Sequence, residues 1–351
     1  MDAKRRSNYD VTNKVRISHP QDVYAAISAL LNELYPGLQM APLQDAFDTF
    51  TKLYAGTLPG YYGCDTWYHD AQHSLDCTLA MARLLDGHDR TLTLPKRLGE
   101  RRAVLGVVIA LFHDSGYIRK SSDKAENGAE FTLNHVRRSG EFLADYLPGI
   151  GFEEEVEMTR GLVHFTGYEV ALDKIEVHEP KDRMLGFMLG TADILAQTAD
   201  RCYLEKCRDY LYHEFEICGL AGKGVPGGPA PIYSSPEDLM EKSPDFNKKL
   251  WEERLDGYFQ GCYHLMEKHF GGGRNLYVEA INRHLALLDT LIKEGRVMEL
   301  RRHPSCVNAA QLREAMGLPR ASLTRIRRHY TPSVPRKRAS SVAAARHYVP
   351  T

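Results

Sequence analysis

The stretch RAVLGVVIALFHDSG at residues 102–116 limits the fold more than any other part of the chain. Ten consecutive residues, Ala103 to Phe112, are apolar or glycine. A segment with no polar face has to be surrounded, so it predicts a central helix enclosed by others. The run ends in His113 and Asp114, which such a helix carries toward the interior. A lone carboxylate is costly to bury, whereas a carboxylate beside an imidazole is half of a metal-donor set.

The remaining periodicity is helical. Residues 20–35 place Val23, Ile27, Leu30, Leu31 and Leu34 on one stripe, and 43–54, 129–147, 152–165, 182–199, 245–270 and 276–293 read the same way. The nearest thing to strand alternation is KIEVH at 174–178, which is short. The expected class is therefore all-α. Hydrophobic residues make up 43% of the 351 positions, enough for a sizeable core. No apolar run approaches the roughly 20 residues of a membrane span, and the N-terminus lacks the apolar stretch of a signal peptide. A cytoplasmic protein with no membrane partner is the expectation. The seven cysteines are odd in number and contain no CxxC pair, so they read as reduced thiols.

Charge is uneven. From Arg301 onward there are 11 Lys/Arg and one acid, Glu314, which leaves an acidic body and a basic tail. An acidic body does not attract nucleic acid by its own field, so only the tail is a candidate for that contact. Residues 308–328 read as helix, turn and helix, superficially like a DNA reader, or as a basic surface helix followed by disorder.

Chemistry-bearing residues recur at helix positions that face inward. In WYHDAQHSLD (67–76), His69 and His73 are four apart and share a face if both are helical. His135 flanks the apolar stripe of 129–147, His164 ends the helix after it, and Asp193 is the one acid past the start of 182–199. The set His73, His113, Asp114, His135, His164 and Asp193 offers imidazole and carboxylate without thiolate, which suits Fe, Mn, Co, Ni, Zn or Mg. Six donors exceed what one ion takes while leaving room for water and substrate. They suit two divalent ions bridged by a carboxylate.

In the order H…HD…D, matched by His73, His113-Asp114 and Asp193, the chain resembles the HD-domain metal-dependent phosphohydrolases over roughly residues 68–212. That resemblance implies an HD helical bundle with additional C-terminal helices: an N-terminal helical segment (1–60), the core (61–220), a helical extension completing the bundle (221–300) and a basic, partly disordered tail (301–351). It also implies that His135 and His164 hold a second metal. The segment YHDAQHSLD is similar to the YHNxxHxxD signature of cyclic-nucleotide phosphodiesterases. By that likeness His69 is the proton donor to the leaving oxygen and Asp114 the metal-bridging catalytic carboxylate. The chain departs from the signature with Asp70 in place of Asn and with HDSGY after the helix, and it has no counterpart of a purine clamp. The implied activity is hydrolysis of a small-molecule phosphoester, most naturally a (cyclic) nucleotide. A di-iron oxygenase and a nucleotidase or deoxynucleotide triphosphohydrolase are the alternatives on the same scaffold.

Overall fold

The computed structural model describes residues 5–228 and 230–319. Its helices are α1 (Pro20–Leu34), α2 (Ala41–Tyr54), α3 (Ala71–Asp89), α4 (Glu100–Phe112), α5 (His135–Tyr146), α6 (Val156–Leu162), α7 (Pro180–Ala199), α8 (Tyr203–Lys206), α9 (Tyr212–Cys218), α10 (Pro236–Lys249), α11 (Leu265–Phe270), α12 (Leu276–Lys293) and α13 (Ala309–Ala315). Short 3-10 and π turns join several of them. The fold is all-α: among the described residues there is no strand, only isolated bridges between Tyr61 and Lys120 and between Ala221 and Tyr233. No helix among them is long and apolar enough to cross a membrane.

The apolar run is the buried centre that its composition requires. Every residue from Ala103 to Phe112 is buried, and α4 lies against α2, α3 and α7. Helix α3 is enclosed almost as fully, with all residues buried except His88, and it touches α1, α4, α7 and α11. Gly87 permits the last contact, because a Cβ there would collide with the Leu265 carbonyl. In α7 the residues from Leu185 to Ala199 are buried apart from Gln197. Three helices without a solvated face thus pack on one another, and the donors sit where they meet.

Boundaries differ from the expected ones for local reasons. Within 129–147 the start is a 3-10 turn, Gly128–Phe131, closed by a capping box of Asn127 and Glu130, and the α-helix begins only at His135. Residues 152–165 form a 3-10 turn, α6 and a second 3-10 turn, Val163–Thr166. The expected helix 245–270 is interrupted. It passes through a π segment at Leu250–Tyr258 and breaks at Gln260 and Gly261, both with positive φ, before α11 resumes. The KIEVH segment is not a strand; it tucks Ile175 and Val177 inward.

The C-terminal region is partly structural. Residues 301–319 cross the start of α3, where the Val307 N–H donates to the Asp70 carboxylate at 2.5 Å and the Ala71 N–H donates to the Val307 carbonyl at 3.1 Å. Helix α13 lies against α2. The second half of the 308–328 pattern falls outside the described residues.

One buried ion pair ties the N-terminal loop to α3. Arg83 donates to Asp10 at 2.5 Å and to the Tyr277 hydroxyl at 2.8 Å, and both charges are buried. Burial pushes the Asp10 carboxyl up, but Arg83 and the Val15 and Thr12 hydrogen bonds hold it below its usual range. A carboxyl lowered in the folded state adds stability above its unfolded pKa of about 3.9 and loses it as pH falls through the folded value. We predict that Asp10→Asn costs about 3–5 kcal/mol at pH 7, since one partner of a buried pair is left alone. Urea unfolding of both proteins should show that difference shrinking below about pH 4; a difference independent of pH would exclude the ion pair as its source.

Candidate metal centre

Each donor is placed by the local logic of its helix. Asp70 is the N-cap of α3: its Oδ1 accepts from the His73 N–H at 3.0 Å, and its Oδ2 takes the Val307 N–H. Asp in place of the signature Asn thus caps the helix and anchors the C-terminal crossing. The helix starts at Ala71, so His69 precedes it and does not share a helical face with His73, yet their rings lie 6.1 Å apart in an edge-on arrangement.

His113 closes α4. Its Nδ1 donates to the Ala110 carbonyl at 2.8 Å, which fixes the tautomer and aims Nε2 away from the helix. Asp114 follows directly, and Asp193 projects from the interior of α7. From the His73 Nε2 it is 3.3 Å to Asp114 Oδ2 and 3.1 Å to Asp193 Oδ1. From the His113 Nε2 the same oxygens are 3.3 and 3.5 Å away. The two Nε2 atoms are 3.3 Å apart. Four buried donors from three helices therefore converge.

His135, the first residue of α5, extends the cluster: its Nε2 lies 3.6 Å from the other Asp114 oxygen, Oδ1. Asp114 thus turns one oxygen to His73 and His113 and the other to His135. His164, on the Val163–Thr166 turn, makes no ion pair or hydrogen bond with these acids among the described residues. Its Nδ1 is buried without a partner.

The electrostatics are those of a cation site. Burial disfavours charge on His73, but Asp114 and Asp193 raise its pKa to about 9. Burial likewise opposes charge on His113, and Asp114 overcomes it, raising that ring well above its usual value. Burial would raise Asp114 and Asp193, but the two imidazoles hold both carboxyls far below the usual range. His135 goes the other way: burial lowers it more than Asp114 raises it, leaving a neutral ring suited to coordination. His164 is also lowered by burial, against the opposing effect of Glu169. Asp114 Oδ2 is buried with no hydrogen-bond partner although two imidazole nitrogens face it. A field that holds protons on imidazoles also holds a divalent cation, and an orphaned carboxylate oxygen among imidazoles fits one.

His69 faces the cluster from its more open side. Its Nδ1 donates to Glu214 Oε2 at 2.6 Å, and the other Glu214 oxygen accepts the Trp67 and Tyr68 N–H groups, each at 2.7 Å. A carboxylate can only accept, so the Nδ1 proton is fixed and Nε2 is presented to the site. The Tyr117 ring stacks on His69 at 4.3 Å and on His135 at 4.4 Å, with its hydroxyl 3.5 Å from the His69 Nε2.

Glu214, Tyr117 and Cys77 are absent from the sequence reading. Glu214 lies in α9, beyond the last motif, and no spacing announces it. Cys77 is four residues after His73, an HxxxC spacing that was there to be read. Tyr117 was visible only as a departure from a signature. The arginines near the motifs are engaged elsewhere: Arg137 pairs with Glu141, Arg160 with Glu157, and Arg138 with Asp123 and the Gly116 and Ile118 carbonyls.

No protein-family model, curated protein or solved structure matches this chain.

Elemental analysis of the purified protein after incubation with divalent metals tests the site. We expect at least one tightly held ion in the wild type, and about a tenth of that occupancy or less in Asp193→Asn, because removing a ligand costs more than the 10–100-fold typical of its outer-shell supports. His164→Ala should keep the ion held by His73, His113, Asp114 and Asp193. A wild type that takes up no metal, or an Asp193→Asn variant that holds it equally well, refutes the assignment.

Proposed function

We propose that this protein is a metal-dependent phosphohydrolase, most specifically a phosphodiesterase acting on a (cyclic) nucleotide. The observation that carries the reading is the convergence of His73, His113, Asp114 and Asp193 beside a histidine whose proton is set by a buried carboxylate. The order of these residues along the chain, like that of the HD-domain phosphohydrolases, supports it.

Divalent ions at this site supply a Lewis acid and bring the pKa of a water toward 7, so that hydroxide is available near neutral pH. His73, His113, Asp114 and Asp193 would hold the first, and His135 with the second Asp114 oxygen marks the place for another. By the resemblance His164 would be the remaining imidazole of the second ion, although among the described residues it makes no hydrogen bond or ion pair with these acids. Asp114, with one oxygen turned to His73 and His113 and the other to His135, would contribute a ligand to each.

His69 does the proton work. Its Nδ1–H points at Glu214, which fixes the ring's orientation, and Nε2 faces the site, where it would pass a proton to the oxygen leaving phosphorus. Glu214 also fixes the backbone on which His69 sits by accepting two N–H groups, so it acts as a positioning residue. Tyr117 stacks on both the His69 and the His135 rings and limits their rotation. The side chains of His113 and Asp114 are almost fully buried, while those of His69 and His135 are each 16% exposed. A phosphoester would enter on that side with its leaving group toward His69.

The role of His69 is separable from that of the metal by leaving-group chemistry. An alkoxide needs a proton in the transition state, whereas p-nitrophenolate does not. His69→Ala should retain wild-type metal content and lose about 10²–10⁴ in rate on a cyclic or linear nucleotide diester, the range for losing a general acid. On bis-p-nitrophenyl phosphate it should lose far less. An equal loss on both substrates, or loss of metal, would reassign His69 as a ligand or a structural group. A panel of cyclic mononucleotides, cyclic dinucleotides, nucleoside mono- and triphosphates and bis-p-nitrophenyl phosphate tests the activity itself. Turnover of none of them with metal bound would overturn the hydrolase reading, and oxygen-dependent turnover by an iron-loaded protein would replace it with the oxygenase.

A further inference from the structure

Beneath the four imidazole and carboxylate donors lies a sulfur. Cys77 is one helical turn after His73 on α3, so the two side chains share a face. Its Sγ, a ring nitrogen of His113 and a carboxylate oxygen of Asp193 all lie within 4.8 Å of one another, and all three residues are buried. His113 and Asp193 also face His73, as Asp114 does. The thiol therefore joins the donor cluster through the two residues it shares with it, His113 and Asp193.

We infer that Cys77 is a thiolate ligand of this centre, sharing its ion with His113 and Asp193. The inference rests on the metal reading above and narrows the class of metal. Sulfur favours Zn(II), Co(II) and Fe(II), whereas a site of carboxylate, imidazole and water alone also suits Mg(II) and Mn(II). Binding is a substitution without redox change: the sulfur–metal bond forms as the S–H bond breaks, and the proton leaves to buffer. A cation in contact with the sulfur would favour loss of its proton. Bland packing of a buried cysteine is the competing explanation. It predicts no electronic interaction between sulfur and metal.

Cobalt(II) added to the metal-stripped full-length protein reads this directly. In the wild type we expect visible d–d bands together with a near-ultraviolet sulfur-to-cobalt charge-transfer band. Cys77→Ser should keep the d–d bands, lose the charge-transfer band and bind cobalt about 10-fold or more weakly, while its affinity for manganese changes little. Cys77→Ala serves the same purpose if the serine hydroxyl is not tolerated in the core, with circular dichroism confirming the fold. Wild-type d–d bands without charge transfer, or a charge-transfer band that survives in both variants, overturn the Cys77 assignment and leave the metal centre standing. Failure of the wild type to bind cobalt, zinc, iron or manganese at all overturns both readings together.

Discussion

Two carboxylates, Asp114 and Asp193, are buried against two imidazoles, and much of the architecture follows from keeping them there. A carboxylate taken from water loses several kcal/mol of solvation even after relaxation, and only close opposite charge or a cation restores it. The walls that exclude the water are α3, α4 and α7, whose shared property is the lack of a solvated face. Those helices bury one another, and the cluster lies where they meet. Fold and site thus depend on each other: apolar walls make the charges strong, and the charges are tolerable because the donors converge.

Where the donors stand on their helices matters for chemistry. His113 ends α4, His135 begins α5 and His69 stands just ahead of α3, and of these His69 and His135 face the more open side while His113 is buried. His73 and Asp193 lie within helices and have little freedom. The proposed proton-moving group, His69, is thus at a helix boundary, where its backbone is held by neighbouring side chains. His69 is kept from wandering by Glu214 and Tyr117. That is the kind of support by which a histidine keeps one tautomer and one orientation.

Much of this was legible in the residues. Ten apolar positions ending in His-Asp required a buried helix and a charged end inside it, and a lone acid in an apolar helix identified Asp193. Helical periodicity sufficed for the all-α class. What escaped was set by distance along the chain or by caps. Glu214 meets His69 across 145 residues, a pairing no local pattern encodes. Asp70 caps α3, so His69 lies outside the helix that the spacing assumed, and its closeness to His73 comes from the chain ahead of the cap. Composition marked the region after Arg301 as tail, yet backbone hydrogen bonds from Val307 make its first part a support of the motif helix. The interruption near Gly261 followed from two left-handed residues that periodicity does not see.

Anomalous diffraction from crystals of the metal-loaded protein tests the central claim most directly. The account predicts an anomalous peak about 2.0–2.3 Å from ligand atoms of His73, His113, Asp114 and Asp193, the bonding distances of nitrogen and oxygen ligands to such ions. Crystals grown with excess zinc, iron or manganese that show those four side chains hydrogen-bonded only to one another and to water, with the metal elsewhere or absent, would contradict it.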